Sequence, residues 1–203
     1  MKVKLTKGEL KRQRDALRQY QRYLPTLALK KQQLQIEIIH QLSILKEKEV
    51  SEDAKLKVAE AWIGILSEDL GVKKYIIPKN IIKGARNVAG VDLPVFNRAE
   101  FNPDDSDLFY APLWYDAAID YFKAVNALRA EAGVIKEGIK ILREELRTTA
   151  QRVNLFEKVK IPQAQEAIRV IKIYIGDQMT NAVGRSKIAK RKIEEAQLQE
   201  VMV

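Results

Sequence analysis

The sequence predicts a mainly α-helical fold: a long antiparallel two-helix coiled coil formed by the N- and C-terminal helices, with a short β-hairpin and loop region mid-chain. Three observations predict it. Towards the C-terminal end, Val125, Leu128, Ala132, Ile135, Ile139, Leu142, Leu146, Thr149, Val153 and Phe156 fall at alternating spacings of three and four, the narrow stripe of a coiled coil. Near the N-terminus, Leu10, Leu17 and Leu24 repeat at seven, joined by Tyr20, Leu27 and Leu34. Between the two stripes lies a stretch broken by glycine and proline and rich in β-branched residues.

The elements divide the chain into three segments. The first, residues 1–71, is a helix opened by Thr6-Lys7-Gly8-Glu9, which has the form of a capping box. Its stripe continues through Ile38 and Leu45, with Ile36 and Leu42 expected to widen it, and persists to Leu66 and Leu70 before Gly71. Pro25 removes one backbone bond and is expected to bend the helix near Gln21–Leu24. The second segment, residues 72–112, carries Tyr75-Ile76-Ile77 and Ile81-Ile82 around Pro78. These read as strand residues, with Val88–Phe96 as the return strand of a hairpin and the prolines Pro78 and Pro94 at edge positions. Asn102-Pro103-Asp104-Asp105-Ser106-Asp107 lacks the glycine and terminal glutamate of a calcium-binding EF-hand loop and reads as a solvated acidic turn. The third segment, residues 113–203, carries the longer stripe. At Pro162 that stripe shifts phase by one position, to Ile161, Ala164, Ile168, Ile171 and Ile175, as a local kink or stutter would require. Gly133, Gly138, Gly176 and Gly184 each weaken this helix by about 1 kcal/mol relative to alanine.

Composition restricts the function. Charged residues reach 31 % and aromatics only 7 % of 203 residues, which favours long helices over a compact enzyme. The chain has no cysteine and a single histidine, His40. A Ser/His/Asp or Cys/His triad therefore cannot be assembled on a helix-borne lone histidine, and thiolate or multi-histidine metal sites are excluded. No GxxxxGK[ST] or GxGxxG run occurs. Glu144-Glu145 and Glu194-Glu195 are adjacent on a helix and do not converge. No catalytic residue, cofactor or metal ligand is expected. The start of the chain lacks a secretory apolar core and no run of 18 apolar residues exists, so a cytoplasmic protein without membrane insertion is expected.

The net charge of +9 is unevenly placed. Lys2–Lys31 is opposed only by Glu9 and Asp15, and Arg185, Lys187, Lys190, Arg191 and Lys192 form a second basic run. Antiparallel pairing is expected to bring the two runs together as one basic tip. Lys11, Arg14 and Arg18 with the second run are thus candidates for contact with an acidic partner. Nucleic acid is the rival partner for such a tip. Only Tyr20 and Tyr23 interleave with the basic residues, Trp62 and Trp114 sit at helix ends, and no recognition motif is present.

The run Arg147-Thr148-Thr149-Ala150-Gln151-Arg152-Val153-Asn154-Leu155-Phe156-Glu157-Lys158-Val159-Lys160-Ile161-Pro162 resembles a signature of the D subunits of the A/V-type rotary ATPases, with Arg152, Val153, Asn154, Glu157, Ile161 and Pro162 as the matching positions. Thr6–Leu10, Lys30-Lys31 with Leu34, Gly90-Val91-Asp92-Leu93-Pro94 and Arg185–Lys190 resemble other elements of that family in the same order. Gln32-Gln33, Pro25 and Val183-Gly184 depart from its pattern. The resemblance implies a non-catalytic central-stalk rotor shaft on the cytoplasmic face of a membrane complex. It implies partners in the hexamer of catalytic and non-catalytic subunits (A and B), the small F subunit of the stalk and the socket subunit above the membrane ring, with no nucleic acid. ATP turnover in the hexamer would be coupled to proton or sodium translocation.

Overall fold

A computed structural model describes residues 4–61, 64, 73–103 and 112–201. Trp62, Leu66, Leu70, Gly71 and the acidic turn Asp104–Asp107 lie outside the described residues. The elements are α1 (Lys7–Glu60), a short helix α2 (Lys73–Ile76), strands β1 (Pro78–Val88) and β2 (Val91–Phe101), α3 (Tyr115–Leu155), a π-helical turn (Phe156–Lys160) and α4 (Ile161–Val201). The fold is mainly helical, with long N- and C-terminal helices and an antiparallel two-stranded hairpin. The chain forms two compact units, Leu29–Ala150 in one and Met1–Ala28 with Gln151–Val203 in the other.

In the unit spanning residues 29–150, α1 and α3 pair antiparallel. The ladder of contacts proves the direction: rising numbers on α1 meet falling numbers on α3. Lys30 Nζ meets Glu145 at 2.8 Å, Lys48 meets Glu131 at 2.9 Å, and Arg129 meets Glu52 at 2.8 Å. Further along, the Tyr121 hydroxyl donates to the Lys55 carbonyl. The seam beneath them is dry, with Leu34 and Leu142 both fully buried. Burial of a leucine side chain stabilises by about 1.5–3 kcal/mol, against at most about 1 kcal/mol for a partly exposed ion pair. Apolar packing therefore holds the pair, and the ion pairs select its register. Thr149, the weakest member of the stripe on composition, is 1 % exposed. Ile36 and Leu42 do not widen the buried seam as expected; they are 60 % and 38 % exposed, because they lie to one side of the line joining Leu34, Ile38 and Leu45.

The hairpin of this unit lies along the coil. Asn126 Nδ2 donates to the Ile76 carbonyl at 2.8 Å, Lys83 pairs with Glu137, and Leu93 is buried with Leu34, Ile38 and Leu142. Asn126, Ala130, Val134 and Gly138 succeed one another every fourth residue, one stripe of α3. Ala130 and Val134 are buried although they lie off the coiled-coil seam, and a Cβ on Gly138 would sit 3.9 Å from Pro94 Cδ. This second stripe is the floor beneath the hairpin. The strands differ from the sequence expectation at both ends. Tyr75 and Ile76 belong to α2, and the return strand begins at Val91, not Val88. The connection is the two-residue loop Ala89-Gly90, with φ of 51° and 77°. Two positive values define the type I′ turn that matches strand twist. Asn87 Oδ1 accepts from the Gly90 amide at 3.1 Å and holds the loop closed. Pro94 pairs opposite Ala85, and its missing N–H is tolerated because each strand of a two-stranded sheet has an open edge.

In the other unit, the start of α1 pairs with α4. The Thr6 hydroxyl accepts from the Glu9 amide at 3.3 Å, which is one half of the expected capping box. The other half is replaced: the Thr6 amide donates to Lys4 O at 3.0 Å, and the Glu9 carboxylate turns forward to Gln13 at 2.7 Å. The helix continues through Pro25 without a break. The Tyr20 and Phe156 rings lie 5.4 Å apart, and Val153, Ala164, Ile168 and Ile171 are buried.

The phase shift of the stripe has a structural cause. Residues Phe156–Lys160 form a π-turn, in which the Ile161 amide donates to the Phe156 carbonyl, five residues back. A π-turn adds one residue with almost no gain in length. The apolar series therefore jumps five positions from Phe156 to Ile161 and still returns to the same face. Pro162 follows at once. Its ring would crowd the carbonyl four residues back in a regular helix, and the wider turn moves that carbonyl away.

Two outcomes are expected. Deleting Lys158 together with Pro162→Ala converts the π-turn to regular helix and leaves the stripe in phase. Circular dichroism and thermal melting should show full helicity and a Tm within a few degrees. Deleting Lys140 from α3, where no extra residue exists, should collapse the transition. Separately, Gly138→Ala should raise stability by about 0.5–1 kcal/mol in urea titration, since the added methyl reaches only ordinary contact with Pro94. Gly138→Leu should lower it by displacing the hairpin.

Candidate functional surface

Among the described residues, no group of three or more His, Asp or Glu side chains converges as a metal site. His40 is exposed, and its backbone carbonyl accepts from the Ser43 hydroxyl at 2.8 Å. No helix is long and apolar enough to cross a membrane, among the described residues.

The basic runs are arranged differently from the sequence expectation. Lys11, Arg14 and Arg18 are exposed on the first turns of α1, and Arg185, Lys187, Lys190, Arg191 and Lys192 are exposed on α4. They do not lie side by side. The Tyr20–Phe156 contact fixes the level at which the helices meet. From that level α1 rises about 20 Å back to Lys7, whereas the C-terminal helix rises about 43 Å to Arg185. Arg185 thus lies about 23 Å beyond the start of α1. Burial reports the same geometry: Ile171 is fully buried and Ile175 half-buried, and from Gly176 to Gln197 only Gly184 is not exposed. The C-terminal part of α4 is a single helix with no described neighbour. Antiparallel pairing alone had suggested that the two runs meet at one tip; the position of the Tyr20–Phe156 contact along each helix decides otherwise.

On this extension, Lys190 pairs with Glu194 at 3.6 Å and Arg191 with Glu195 at 3.4 Å. Both are four-residue pairs on a solvated helix, worth about 0.3–0.5 kcal/mol each. Arg185, Lys187 and Lys192 form no ion pair among the described residues. Apolar side chains also project there: Met179, Val183, Ile188 and Ile193 are all more than half exposed. Closer to the clasp, Arg169 holds Glu166 through a two-pronged hydrogen bond at 2.7 and 2.8 Å. That bond, and then the guanidinium charge, keeps the Glu166 carboxyl below its ordinary range.

The signature run is split between the seam and solvent. Val153 is buried and Ile161 half-buried, while Arg152, Asn154, Glu157 and Pro162 are exposed. Its defining property is the π-turn, which the one-position phase jump before Pro162 signals in the sequence. The remaining stripe residues Leu10, Leu17, Leu24, Leu27, Ile135 and Leu146 are half-buried, as is Phe156, and Ile139 is 4 % exposed. Trp114 packs beside Tyr115 at the start of α3, with ring centroids 6.4 Å apart.

Residues 9–191 match the family model of the ATP synthase D subunit. The chain is 43 % identical over 189 residues to the V-type ATP synthase D subunit of Borreliella burgdorferi, covering 93 % of this chain and 94 % of that protein. It is 34 % identical over 197 residues to the V-type ATP synthase D subunit of Chlamydia pneumoniae, covering 96 % and 94 %. It is 32 % identical over 197 residues to that of Chlamydia trachomatis serovar L2, covering 95 % and 97 %. A match that takes in both long helices, the hairpin and the π-turn establishes that the chain belongs to the ATP synthase D-subunit family.

Proposed function

We propose that this chain is the non-catalytic central-stalk component, the rotor shaft, of a V/A-type ATPase. It couples ATP hydrolysis or synthesis in the catalytic hexamer to proton or sodium translocation through the membrane ring. The observation that carries this reading is the family match over residues 9–191, which spans the coil rather than a detachable module. The single-helix extension of α4 supports it. Met179, Val183, Ile188 and Ile193 on that helix are exposed beside Arg185, Lys187 and Lys192. An exposed patch of this mixed kind marks a surface that a protein partner covers. The partners in this reading are the A and B subunits around the extension, the small F subunit of the stalk, and the socket subunit above the membrane ring. The complex holds the chain at the cytoplasmic face of the membrane as a peripheral component.

The shaft reading makes the extension dispensable for folding and essential for coupling. Removing residues 185–203 takes away no buried side chain among the described residues, so the Tm should stay within about 2 °C. The full chain alone should hydrolyse no ATP, and its addition to a hexamer of A and B subunits should change the rate of turnover. The truncated chain should be several-fold less effective. Tight, steeply salt-dependent binding of the full chain to duplex DNA, with no effect on the hexamer, would instead establish the rival reading, a basic coiled-coil adaptor.

A further inference from the structure

We propose that the unit formed by residues 1–28 and 151–203 contains a flexural joint, a short window in which both of its helices are weakened at one level. The window takes in Gln21–Pro25 of α1 and Phe156–Pro162 around the π-turn. The Tyr20–Phe156 ring contact at 5.4 Å sets the level. To one side of it, Pro25 has no N–H, so the Gln21 carbonyl, four residues back, loses its helical donor. To the other side, the Ile161 amide donates to the Phe156 carbonyl, and Pro162 has no N–H. The carbonyls of Glu157 and Lys158 thereby lose Ile161 and Pro162, the donors a regular helix would supply. Counted along each helix from the ring contact, the centres of the two gaps lie within about 10 Å of one another. Gln21, Pro25, Glu157, Lys158 and Pro162 are all exposed, so water can take the freed carbonyls whether the helices are straight or bent.

Side-chain packing is lightest over the same window. Val153 is buried, and the next buried side chain along the helix is Ala164, followed by Ala167, Ile168 and Ile171. Between Val153 and Ala164 only Phe156 and Ile161 are half-buried, and the rest are exposed. On α1, Leu17, Tyr20 and Leu24 are half-buried, and no side chain from Leu10 to Lys31 is fully buried. In the other unit, by contrast, Ala130, Ala132, Val134, Ile139 and Leu142 follow one another closely along α3, all buried. The hydrogen-bond ladder and the wedged side chains are what resist bending in a coil. Where both thin out together, bending concentrates. The ring pair keeps the helices in contact at this point while the backbone to either side flexes. At rest α1 stays helical through Pro25, so the joint is a site of compliance and not a fixed kink. It is a property of the chain alone; its use in coupling rests on the shaft reading. There, a tip that rocks about Tyr20 and Phe156 follows changing surroundings while Ile168 and Ile171 stay packed.

The absence of cysteine allows spin labels to be placed in pairs on the full chain. Arg152→Cys/Lys172→Cys spans the joint, and Asp120→Cys/Lys140→Cys lies within α3; all four positions are exposed. Each pair is separated by about 30 Å of helix, within reach of double electron–electron resonance. The distance distribution across the joint should be about twice as broad as the one within α3. Deleting Lys158 together with Pro162→Ala and Pro25→Ala restores the ladder on both helices and should narrow the distribution to the α3 width. Pro25→Ala alone, which removes no residue, should narrow it in part. Equal widths for the two label pairs would overturn the joint, as would an unchanged width in both variants. Added to a hexamer of A and B subunits, the straightened chain should alter turnover only about half as much as the parent chain, or less. Equal effects of the two chains would overturn the use of the joint in coupling. No effect of either chain would refute the shaft reading, while the label distances still decide the joint.

Discussion

The unit spanning residues 29–150 depends on one constraint, the antiparallel register in which Leu34 meets Leu142. Neither helix of a two-helix coil can bury its stripe alone, and a slip of one residue would rotate that stripe out of the interface. Fully buried Leu34 and Leu142 give the seam its energy. The ladder from Lys30–Glu145 to Arg129–Glu52 adds little energy but penalises other registers, which would oppose like charges or leave these groups without partners. Once that register is set, the Asn126–Gly138 stripe is turned towards the hairpin and Lys140, Arg143 and Arg147 are left exposed. The asymmetry of this unit thus follows from which residues occupy the flanks of the seam.

The π-turn solves a problem that the seam creates. An apolar series with a spacing of five between Phe156 and Ile161 cannot stay on one face of a regular helix. Widening one turn, with the Ile161 amide reaching Phe156, absorbs the extra residue and keeps Ala164, Ile168 and Ile171 buried. The same turn makes room for the Pro162 ring. Two local irregularities that would each destabilise a helix are accommodated together, and the stripe resumes beyond them.

Much of this was legible in the sequence, and the illegible parts have physical reasons. Strong three-four periodicity placed both helices and even the phase shift. The π-turn behind that shift was visible only as a kink or stutter, because a proline and an inserted residue leave the same trace in a pattern of apolar positions. The hairpin was visible from Gly90 and the prolines, but its turn was not: Ala89, with φ of 51°, is not a residue that announces a left-handed conformation. The seat of the hairpin on the coil escaped because Ala130, Val134 and Gly138 are small, and a stripe of small residues carries little hydrophobic signal. The position of the basic runs escaped for a different reason. Periodicity shows that two helices pair, but only a specific contact such as Tyr20–Phe156 fixes the level at which they meet.

The division of burial between the parts of α4 bears on function. Up to Ile171 the helix contributes to a packed interface; beyond Ile175 it carries Gly176 and Gly184 and has no described neighbour. A solitary helix of this length with two glycines is only marginally stable in water. Its exposed Met179, Val183, Ile188 and Ile193 therefore contribute nothing to the isolated chain. In the rotor-shaft reading proposed above, they gain their role inside a cavity that supplies apolar contacts and negative charge. The same reading asks that this surface be continuous with a helix anchored elsewhere, and α4 runs unbroken from the exposed Arg185 back to the buried Ile171. If the chain is the shaft proposed above, its tip can bind its surroundings without the fold depending on that binding, because the buried residues up to Ile171 hold its base.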